Sequence, residues 1–457
     1  MNREVRLGIT VRGKLILGIA ALIFITNIIQ PWRPAGINSI YITFIILTIL
    51  ISGWIVNRSR AYVLERLTIK RDVSTPIYED EETTIRIIIE NTAAVGIYNA
   101  IFQDHYPETM HKVEGENIGN IQIPPKSTIE ITYKLRARGI GRNQFGTMVI
   151  RLLDPLGLYY MEGIYSDVEL SSIEVMPIIP QASVEEYLAR GIKLELGPRI
   201  ARQSGISTEF RDIREYVPGD ETRRIDWKAT AKLNKLMIRE YELEKRNNIV
   251  LILDLSRNMF IGELGVRKID YAARTIAYII NYASTKKDNI GLVIFGSDKV
   301  DLIPVSMASD ALVKRALEKL SRIPVYPPKP RKEESDIIDP GTVIGRLGLR
   351  DKTLFIFLSD LEDGETIERV TNMAQILRAL RHEVVVVSPL TVLFEARLLK
   401  GIESAIYKVV GYTSLRRRKE SVEELVKIGV PVINVGPNDL IPYLLMKIEQ
   451  YRRMIVI

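Results

Sequence analysis

The sequence predicts a multi-domain protein with two N-terminal transmembrane helices, an antiparallel β-sandwich and a C-terminal doubly wound α/β domain of the Rossmann type. Three patterns support this: two uncharged apolar runs, a series of short β-branched strands, and a C-terminal half in which buried strands alternate with helices. We expect a two-helix anchor over 1–66, a β-sandwich over 67–180, a charged segment over 181–246 and the α/β domain over 247–457.

Composition narrows the possible functions. Of the 457 residues, 46% are hydrophobic and 26% are charged, which predicts packed cores. The chain has no cysteine, so disulfides, thiolate metal sites and cysteine nucleophiles are excluded. The three histidines, His105, His111 and His382, are scattered, which argues against a histidine-based zinc site. A net charge of +7 is small for this length and does not indicate nucleic-acid binding.

The anchor is predicted from two apolar runs, Leu15 to Ile29 and Ile40 to Val56, which contain no charged side chain. Each run is slightly shorter than the roughly 20 residues that a helix needs to cross a bilayer, and the polar flanks can supply the rest. Residues 30–36, with two prolines and a tryptophan, predict a tight turn between two antiparallel spans. A cleaved signal peptide is the alternative, but no small-residue cleavage site precedes the second run.

Basic residues predict the orientation of this anchor. They flank the two runs on the outer sides, whereas the short loop between the runs holds only Arg33. The flanking residues are Arg3, Arg6, Arg12, Lys14, Arg58, Arg60, Arg66, Lys70 and Arg71. The positive-inside rule therefore predicts a multi-pass protein of the cell membrane with its soluble domains in the cytoplasm.

The β-sandwich is predicted from short alternating strands separated by proline and glycine turns. The clearest strands are Thr83–Glu90, Glu130–Leu135, Met148–Leu153 and Ser172–Met176. The sequence does not indicate a specific role for this domain, and a spacer or docking module is the simplest expectation.

Residues 208–246 are dense in charge but balanced, with ten basic against nine acidic side chains. A net charge of +1 is a poor match for phosphate, so we expect a mixed polar network and no nucleic-acid partner. Phe210, Tyr216, Trp227 and Tyr241 lie among these charges and are expected to anchor the segment on a domain face.

Oxygen-bearing side chains follow two strands of the α/β domain. Asp254, Ser256 and Asn258 come at the end of the first strand, and Asp360 follows the strand Leu354–Leu358. Thr342 lies at the start of a predicted helix and offers a hydroxyl. Ligands bind at the carboxyl ends of strands in open α/β sheets, and Mg²⁺ prefers oxygen ligands. The pattern predicts a metal site, although Asp254 and Ser256 could instead only cap the following turn.

This pattern resembles the metal-ion-dependent adhesion site of von Willebrand factor A domains. The resemblance implies that Asp254, Ser256, Thr342 and Asp360 bind Mg²⁺ or Mn²⁺, with one position open for a partner's carboxylate. The chain departs from the family pattern at Asn258, which stands where the family has a serine and makes occupancy uncertain.

Two further stretches resemble the MoxR-associated membrane proteins of domain-of-unknown-function family fifty-eight. They are residues 208–242 and the Asp154-Pro155-Leu156-Gly157-Leu158 run. The matching positions in the first stretch are Phe210, Arg211, Asp212, Arg214, Tyr216, Pro218, Gly219, Asp220, Arg223, Arg224, Asp226, Trp227, Lys228, Arg239, Glu240 and Tyr241. The order of anchor, β-rich domain, charged segment and A domain also matches this family.

The resemblance implies a membrane-anchored, metal-dependent adaptor that works with a MoxR-type AAA+ ATPase in assembling or activating a client complex. We do not expect an enzyme, because Ser256 has no evident base and the chain lacks a phosphate-binding P-loop. A metal-dependent hydrolase, with Glu362 or Asp363 as general base, is one alternative. A cell-surface adhesion protein is the other, and it requires the reverse topology.

Overall fold

The computed structural model divides the chain into two compact units. The first unit contains Met1–Met176 and Ser321–Val325, and the second contains Pro177–Leu320 and Tyr326–Ile457. The structure describes residues 3–29, 34–166, 168, 172–196, 212–217, 225–240, 246–296, 300–328, 340–349, 351–395, 401 and 422–456.

Apolar helices open the first unit. They are α1 (Val11–Ile29), α2 (Pro34–Ser59) and the short α3 (Ala61–Glu65). Among the described residues, one helical stretch, Tyr41–Glu65, is long and apolar enough to cross a membrane by length and composition. Large apolar side chains such as Leu22 and Phe44 are exposed on these helices. The first predicted span, Leu15 to Ile29, forms most of α1, and its membrane crossing stays a prediction.

The first unit contains twelve strands, of which eleven lie within the predicted β-sandwich and one, β1, lies before it. They are β1 (Arg3–Ile9), β2 (Leu67–Val73), β3 (Ile77–Tyr78), β4 (Glu82–Asn91), β5 (Ile97–Asp104), β6 (Met110–Gly115), β7 (Ile118–Ile123), β8 (Ser127–Ala137), β9 (Gly141–Gln144), β10 (Met148–Leu153), β11 (Tyr159–Tyr165) and β12 (Ser172–Met176). Their sheets have the orders β1-β11-β10-β5-β7, β2-β4-β8-β6 and β3-β12-β9. The four strands named from the sequence are confirmed as β4, β8, β10 and β12.

Alternation along β4 creates the core of this unit. Ile85, Ile87 and Ile89 are fully buried, while the residues between them face outward or are only partly buried. Their antiparallel partners in β8 include Tyr133 and Ile131. Because successive side chains of a strand point to opposite faces, this period of two is sufficient to define the inner face of the sheet.

A buried ion pair lies inside the sandwich. Arg71 of β2 contacts Asp104 of β5, with Nη2 to Oδ1 at 2.5 Å, and both side chains are almost fully buried. The hydroxyl of Tyr133 in β8 donates to Asp104 Oδ2 at 2.6 Å, and Arg71 Nη2 donates to the Gly146 carbonyl at 3.0 Å. The ion pair and the Tyr133 hydrogen bond therefore link the two larger sheets of the unit through the carboxylate of Asp104.

The N-terminal strand β1 was not expected, since the sequence assigned residues 1–66 to the anchor alone. It pairs with β11 along its whole length, from Arg3 opposite Tyr165 to Ile9 opposite Tyr159. The anchor and the β-rich domain therefore form one unit in the structure. Local sequence could not reveal this, because the pairing partner lies far along the chain.

The start of α1 is held against the turn before β11. Thr10 N donates to the Leu158 carbonyl at 2.9 Å, and its hydroxyl donates to the Gly157 carbonyl at 2.6 Å. A Cβ at Gly13 would lie 2.3 Å from the Leu158 carbonyl oxygen, so only glycine permits this approach. The buried Asp154 carboxylate shapes the turn by accepting from Leu156 N and Tyr159 N.

The second unit is a doubly wound α/β structure with a small strand pair before it. Its strands are β13 (Asp212–Glu215), β14 (Met237–Glu240), β15 (Asn248–Asp254), β16 (Asn289–Phe295), β17 (Asp301–Met307), β18 (Leu354–Leu358), β19 (Glu383–Pro389) and β20 (Val432–Val435). Its helices are α4 (Val184–Leu196), α5 (Trp227–Leu233), α6 (Lys268–Lys286), α7 (Asp310–Leu320), α8 (Pro340–Arg346), α9 (Gly364–Ala379), α10 (Thr391–Glu395), α11 with described residues 422–427, and α12 (Leu440–Val456).

The main sheet of this unit has the order β17-β16-β15-β18-β19-β20. All neighbours are parallel except β17, an antiparallel edge strand that the sequence analysis missed. After the central β15, the chain forms β16 and β17 on one side of it, and then returns to form β18, β19 and β20 on the other side. The crevice between the carboxyl ends of β15 and β18 is thus the topological switch point, where ligands bind in such sheets.

We expect Asp104→Asn to lower the free energy of unfolding of the first unit by about 3–5 kcal/mol, because Arg71 is left as an uncompensated buried cation. Amide hydrogen exchange in β4 and β8 of the full-length protein should accelerate accordingly. The matched control is Arg86→Gln, which removes the Arg86–Glu130 pair of two half-exposed side chains and should cost about 1 kcal/mol or less. Equal exchange rates in the two variants would contradict this role for the buried pair.

Candidate functional site

Two carboxylates lie at the topological switch point of the α/β sheet. Asp254 is the last residue of β15, and Asp360 follows β18 by two residues. Both side chains are fully buried. The sequence therefore placed these two predicted site residues on neighbouring strand ends, as the parallel pairing of β15 with β18 requires.

Asp254 is held by groups from three elements. Ser359 Oγ, just after β18, donates to Asp254 Oδ2 at 2.7 Å, and the backbone N of Ser256 donates to Oδ1 at 3.1 Å. Arg369 of α9 places Nη2 3.6 Å from Oδ1. A Cβ at Gly296, which has a φ of +113°, would lie 2.9 Å from Leu255 N, so glycine is required for this close packing.

The charge state of Asp254 is set mainly by its burial. Desolvation raises the pKa of its carboxyl above the ordinary value, and the positive charge of Arg369 is the strongest opposing influence. The hydroxyls of Ser359 and Ser256 oppose the rise more weakly. The ionised carboxylate is therefore disfavoured by the fold, although the surrounding donors reduce that cost.

Asp360 is paired with a lysine that sequence reasoning did not identify. Lys268, the first residue of α6, forms an ion pair through Nζ with Asp360 Oδ2, and the two side chains are 1% and 0% exposed. Lys268 Nζ also donates to the hydroxyl of Thr391 at the start of α10. Thr391 in turn donates to Glu362. A lysine in the first turn of a helix, where cations are disfavoured, was the available signal.

The other predicted metal ligands differ in their surroundings. The Ser256 hydroxyl is buried beside Asp254 and helps to lower the pKa of that carboxyl, although their contact does not have standard hydrogen-bond geometry. Asn258 lies in the 3-10 turn Arg257–Phe260 and is partly exposed. Thr342 lies in α8 and is exposed. Ser256 is thus the predicted hydroxyl ligand that lies beside Asp254, whereas Thr342 is exposed on α8.

These residues do not fit a divalent cation as they are arranged. Lys268 already neutralises Asp360, and Arg369 lies beside Asp254, so two negative charges are balanced by two positive ones. A divalent ion bound between the carboxylates would meet both cations at short range. Elsewhere in the described residues, no cluster of three or more histidine, aspartate or glutamate side chains is positioned to hold a metal.

Local contacts also bear on two alternatives: that Asp254 and Ser256 only cap the following turn, and that Glu362 or Asp363 is the general base of a hydrolase. Ser256 makes no side-chain hydrogen bond to the following turn, whereas Asp254 Oδ1 accepts from Ser256 N at 3.1 Å, so the capping alternative holds for Asp254 alone. Asp363 caps α9 by accepting from Thr366 N at 2.8 Å, and Glu362 accepts from Thr391. Both candidate general bases are therefore already engaged in local structure.

Part of the charged segment forms a small substructure. β13 and β14 pair antiparallel, and Asp226 caps α5 by accepting from Lys228 N and Ala229 N. The backbone of Asp212, Arg214, Arg239 and Glu240 lies in these strands. Several matching positions lie outside the described residues, namely Phe210, Arg211, Pro218, Gly219, Asp220, Arg223, Arg224 and Tyr241.

The expected anchoring role of Trp227 is not supported, since its side chain is 69% exposed. Its position explains this, because Trp227 is the first residue of α5, and α5 has no buried residue. Tyr216 is only partly buried. The segment therefore presents an apolar side chain to solvent within the described residues.

We expect Asp254→Asn to stabilise the second unit at neutral pH, because the raised pKa means that folding penalises the ionised carboxylate. Each unit of pKa elevation corresponds to about 1.4 kcal/mol. The gain should shrink as the pH falls through the raised pKa toward the ordinary value of 3.8, since the wild-type carboxyl then binds a proton.

Thermal unfolding of the full-length protein in chelator, between about pH 7 and about pH 4, measures this difference. Asp351→Asn, at an exposed position before β18, is the matched control and should have little effect at any pH. A variant at Asp254 that is less stable than wild type at neutral pH would refute the assignment.

Comparison with known proteins gives one family match. The family described as "Protein of unknown function DUF58" matches residues 212–393. This range contains Asp254, Lys268, Asp360 and Arg369. The expected resemblance to this family is therefore confirmed over that part of the chain, whereas the association with MoxR stays a prediction.

Similar proteins cover the chain only in part. The uncharacterized protein YeaD of Bacillus subtilis (strain 168) is 22% identical over 187 residues, which are 39% of this chain and 45% of that protein. The uncharacterized protein Rv1480 of Mycobacterium tuberculosis (strain ATCC 25618 / H37Rv) is 26% identical over 108 residues, 24% of this chain and 34% of that protein. The matches thus span less than half the length of these relatives.

Solved structures with similarity include von Willebrand factor A folds. The conserved hypothetical protein BatB from Bacteroides thetaiotaomicron has a TM-score of 0.31 at 12% identity, covering 46% of this chain and 99% of that one. The SpRpn10 VWA domain has a TM-score of 0.28 at 10% identity, covering 44% of this chain and 94% of that one.

Proposed function

We propose that this protein is a membrane-tethered adaptor that binds a partner protein at the carboxyl ends of β15 and β18. We name this location the strand-end site and define it by Asp254, Ser256, Lys268, Asp360 and Arg369. The observation that carries the proposal is the buried, charge-balanced arrangement of these residues at the topological switch point. Binding is favoured over hydrolysis because Glu362 and Asp363 are engaged elsewhere.

The tether in this proposal consists of α1 and α2. Both helices expose large apolar side chains, which in water would be an unusually extensive apolar surface. A lipid bilayer is the environment that such helices match. The basic residues on the outer flanks of the hairpin support a multi-pass arrangement with both units in the cytoplasm.

A reporter fused after Ile457 tests this orientation. We expect activity from a reporter that functions only in the cytoplasm, and none from a reporter that requires export. The reverse result would remove the proposed orientation and favour the cell-surface adhesion alternative.

The proposed partner is a MoxR-type AAA+ ATPase, with which the protein would assemble or activate a client complex. This part rests on the resemblance of residues 208–242 and on the family match over 212–393. In a second form of the proposal, Mg²⁺ or Mn²⁺ mediates docking. This form predicts that a chelator abolishes binding of the ATPase, so capture of the ATPase in the presence of chelator distinguishes the two forms.

Capture of the full-length protein from native membranes, with identification of bound proteins by mass spectrometry, tests the partner. We expect the AAA+ ATPase to co-purify with wild type and to be reduced about tenfold or more by Asp254→Ala, since Ser359 and Arg369 lose the side chain that positions them. Asp310→Ala, at an exposed position of α7, is the matched control and should retain the ATPase. Equal capture by both variants would show that the strand-end site is not the docking point.

A further inference from the structure

We infer that the strand-end site needs no divalent cation, because Lys268 supplies the positive charge at Asp360 and Arg369 is the group that receives a partner's carboxylate. This inference rests on the proposed function for its partner, but its first part concerns only the chain's own residues. The ligand class is an acidic side chain or a C-terminal carboxylate of a partner protein.

The first step of the argument is the fixed position of Lys268. Its side chain is 1% exposed, and its ammonium contacts both Asp360 and Thr391. The preceding residue, Arg267, is itself locked in a buried pair with Asp270, with Nη2 to Oδ1 at 2.8 Å. The start of α6 is therefore held in place. If the Lys268 ammonium left Asp360, it would leave a buried carboxylate without an opposite charge, which is costly.

The second step is the incomplete use of Arg369. Its Nη2 lies 3.6 Å from Asp254 Oδ1, which is close enough for charge attraction but too far for a hydrogen bond. Its Nη2 also makes a long contact of 3.4 Å to Thr366 Oγ1, and Nε has no acceptor among the described residues. The guanidinium lies 5.4 Å from the Phe295 ring centroid, and the side chain is 32% exposed.

The third step is the match between these donors and a carboxylate. A guanidinium binds a carboxylate through two parallel hydrogen bonds, and the partly exposed Arg369 makes only long contacts to Asp254 and Thr366 through Nη2. Lys268, in contrast, is too deeply buried to contact a ligand.

Mn²⁺ binding to the purified full-length protein tests the first part. Electron paramagnetic resonance of free Mn²⁺ measures it directly. We expect wild type to show no binding up to about 1 mM, the weak end of protein sites for such hard cations. Lys268→Met should bind about tenfold or more tightly than wild type, because Asp360 then lacks its cation.

Lys286→Met, at an exposed position of the same helix, is the matched control and should behave as wild type. Submillimolar Mn²⁺ binding by wild type that is lost in Asp254→Asn would overturn the inference. If Lys268→Met does not fold, the wild-type measurement alone still decides.

Capture of the ATPase in chelator tests the second part. We expect capture by wild type to persist, to fall about tenfold in Arg369→Gln through loss of a charged hydrogen bond, and to be unchanged in the exposed control Arg315→Gln. Capture that requires Mg²⁺ and is insensitive to Arg369→Gln would overturn the inference while leaving the adaptor function intact. If no variant captures a partner under any condition, the adaptor function fails, and the Mn²⁺ measurement still decides the charge assignment.

Discussion

The strand-end site of the α/β unit depends on the buried ion pair between Lys268 and Asp360. Both side chains are removed from water, where an ionised carboxylate alone would be strongly disfavoured. The pair ties the first turn of α6 to the segment after β18, and Thr391 extends the connection to the start of α10. Three elements from distant parts of the chain are thereby fixed around the crevice in which Asp254 lies.

The same constraint on buried charge operates in the β-rich unit. Arg71 and Asp104 form a buried pair that also engages Tyr133, so β2, β5 and β8 are linked by one polar network. In both of these pairs an opposite charge and further hydrogen bonds compensate the desolvation of the ionised groups. In the β-rich unit the pair is fully enclosed, whereas Arg369 at the strand-end site is partly exposed and makes only long contacts through Nη2.

The apolar N-terminal helices are continuous with the β-rich unit. β1 pairs with β11, and α1 begins immediately after that strand, held by the contacts of Thr10 to the turn at residues 157–158. A displacement of α1 is therefore expected to act directly on the sheet that contains β11. A tethered adaptor requires such a connection if its position relative to the membrane is to be defined.

Local patterns in the sequence determined the apolar helices, the alternation that buries Ile85, and the placement of Asp254 and Asp360 at strand ends, because side-chain periodicity and strand polarity are properties of short segments. The tertiary structure alone decided that Lys268 and Arg369 neutralise those carboxylates, that β1 joins the sheet, and that Trp227 is exposed. These features depend on which surfaces meet after folding, and charge pairing between distant helices and strands leaves no periodic signal in the chain.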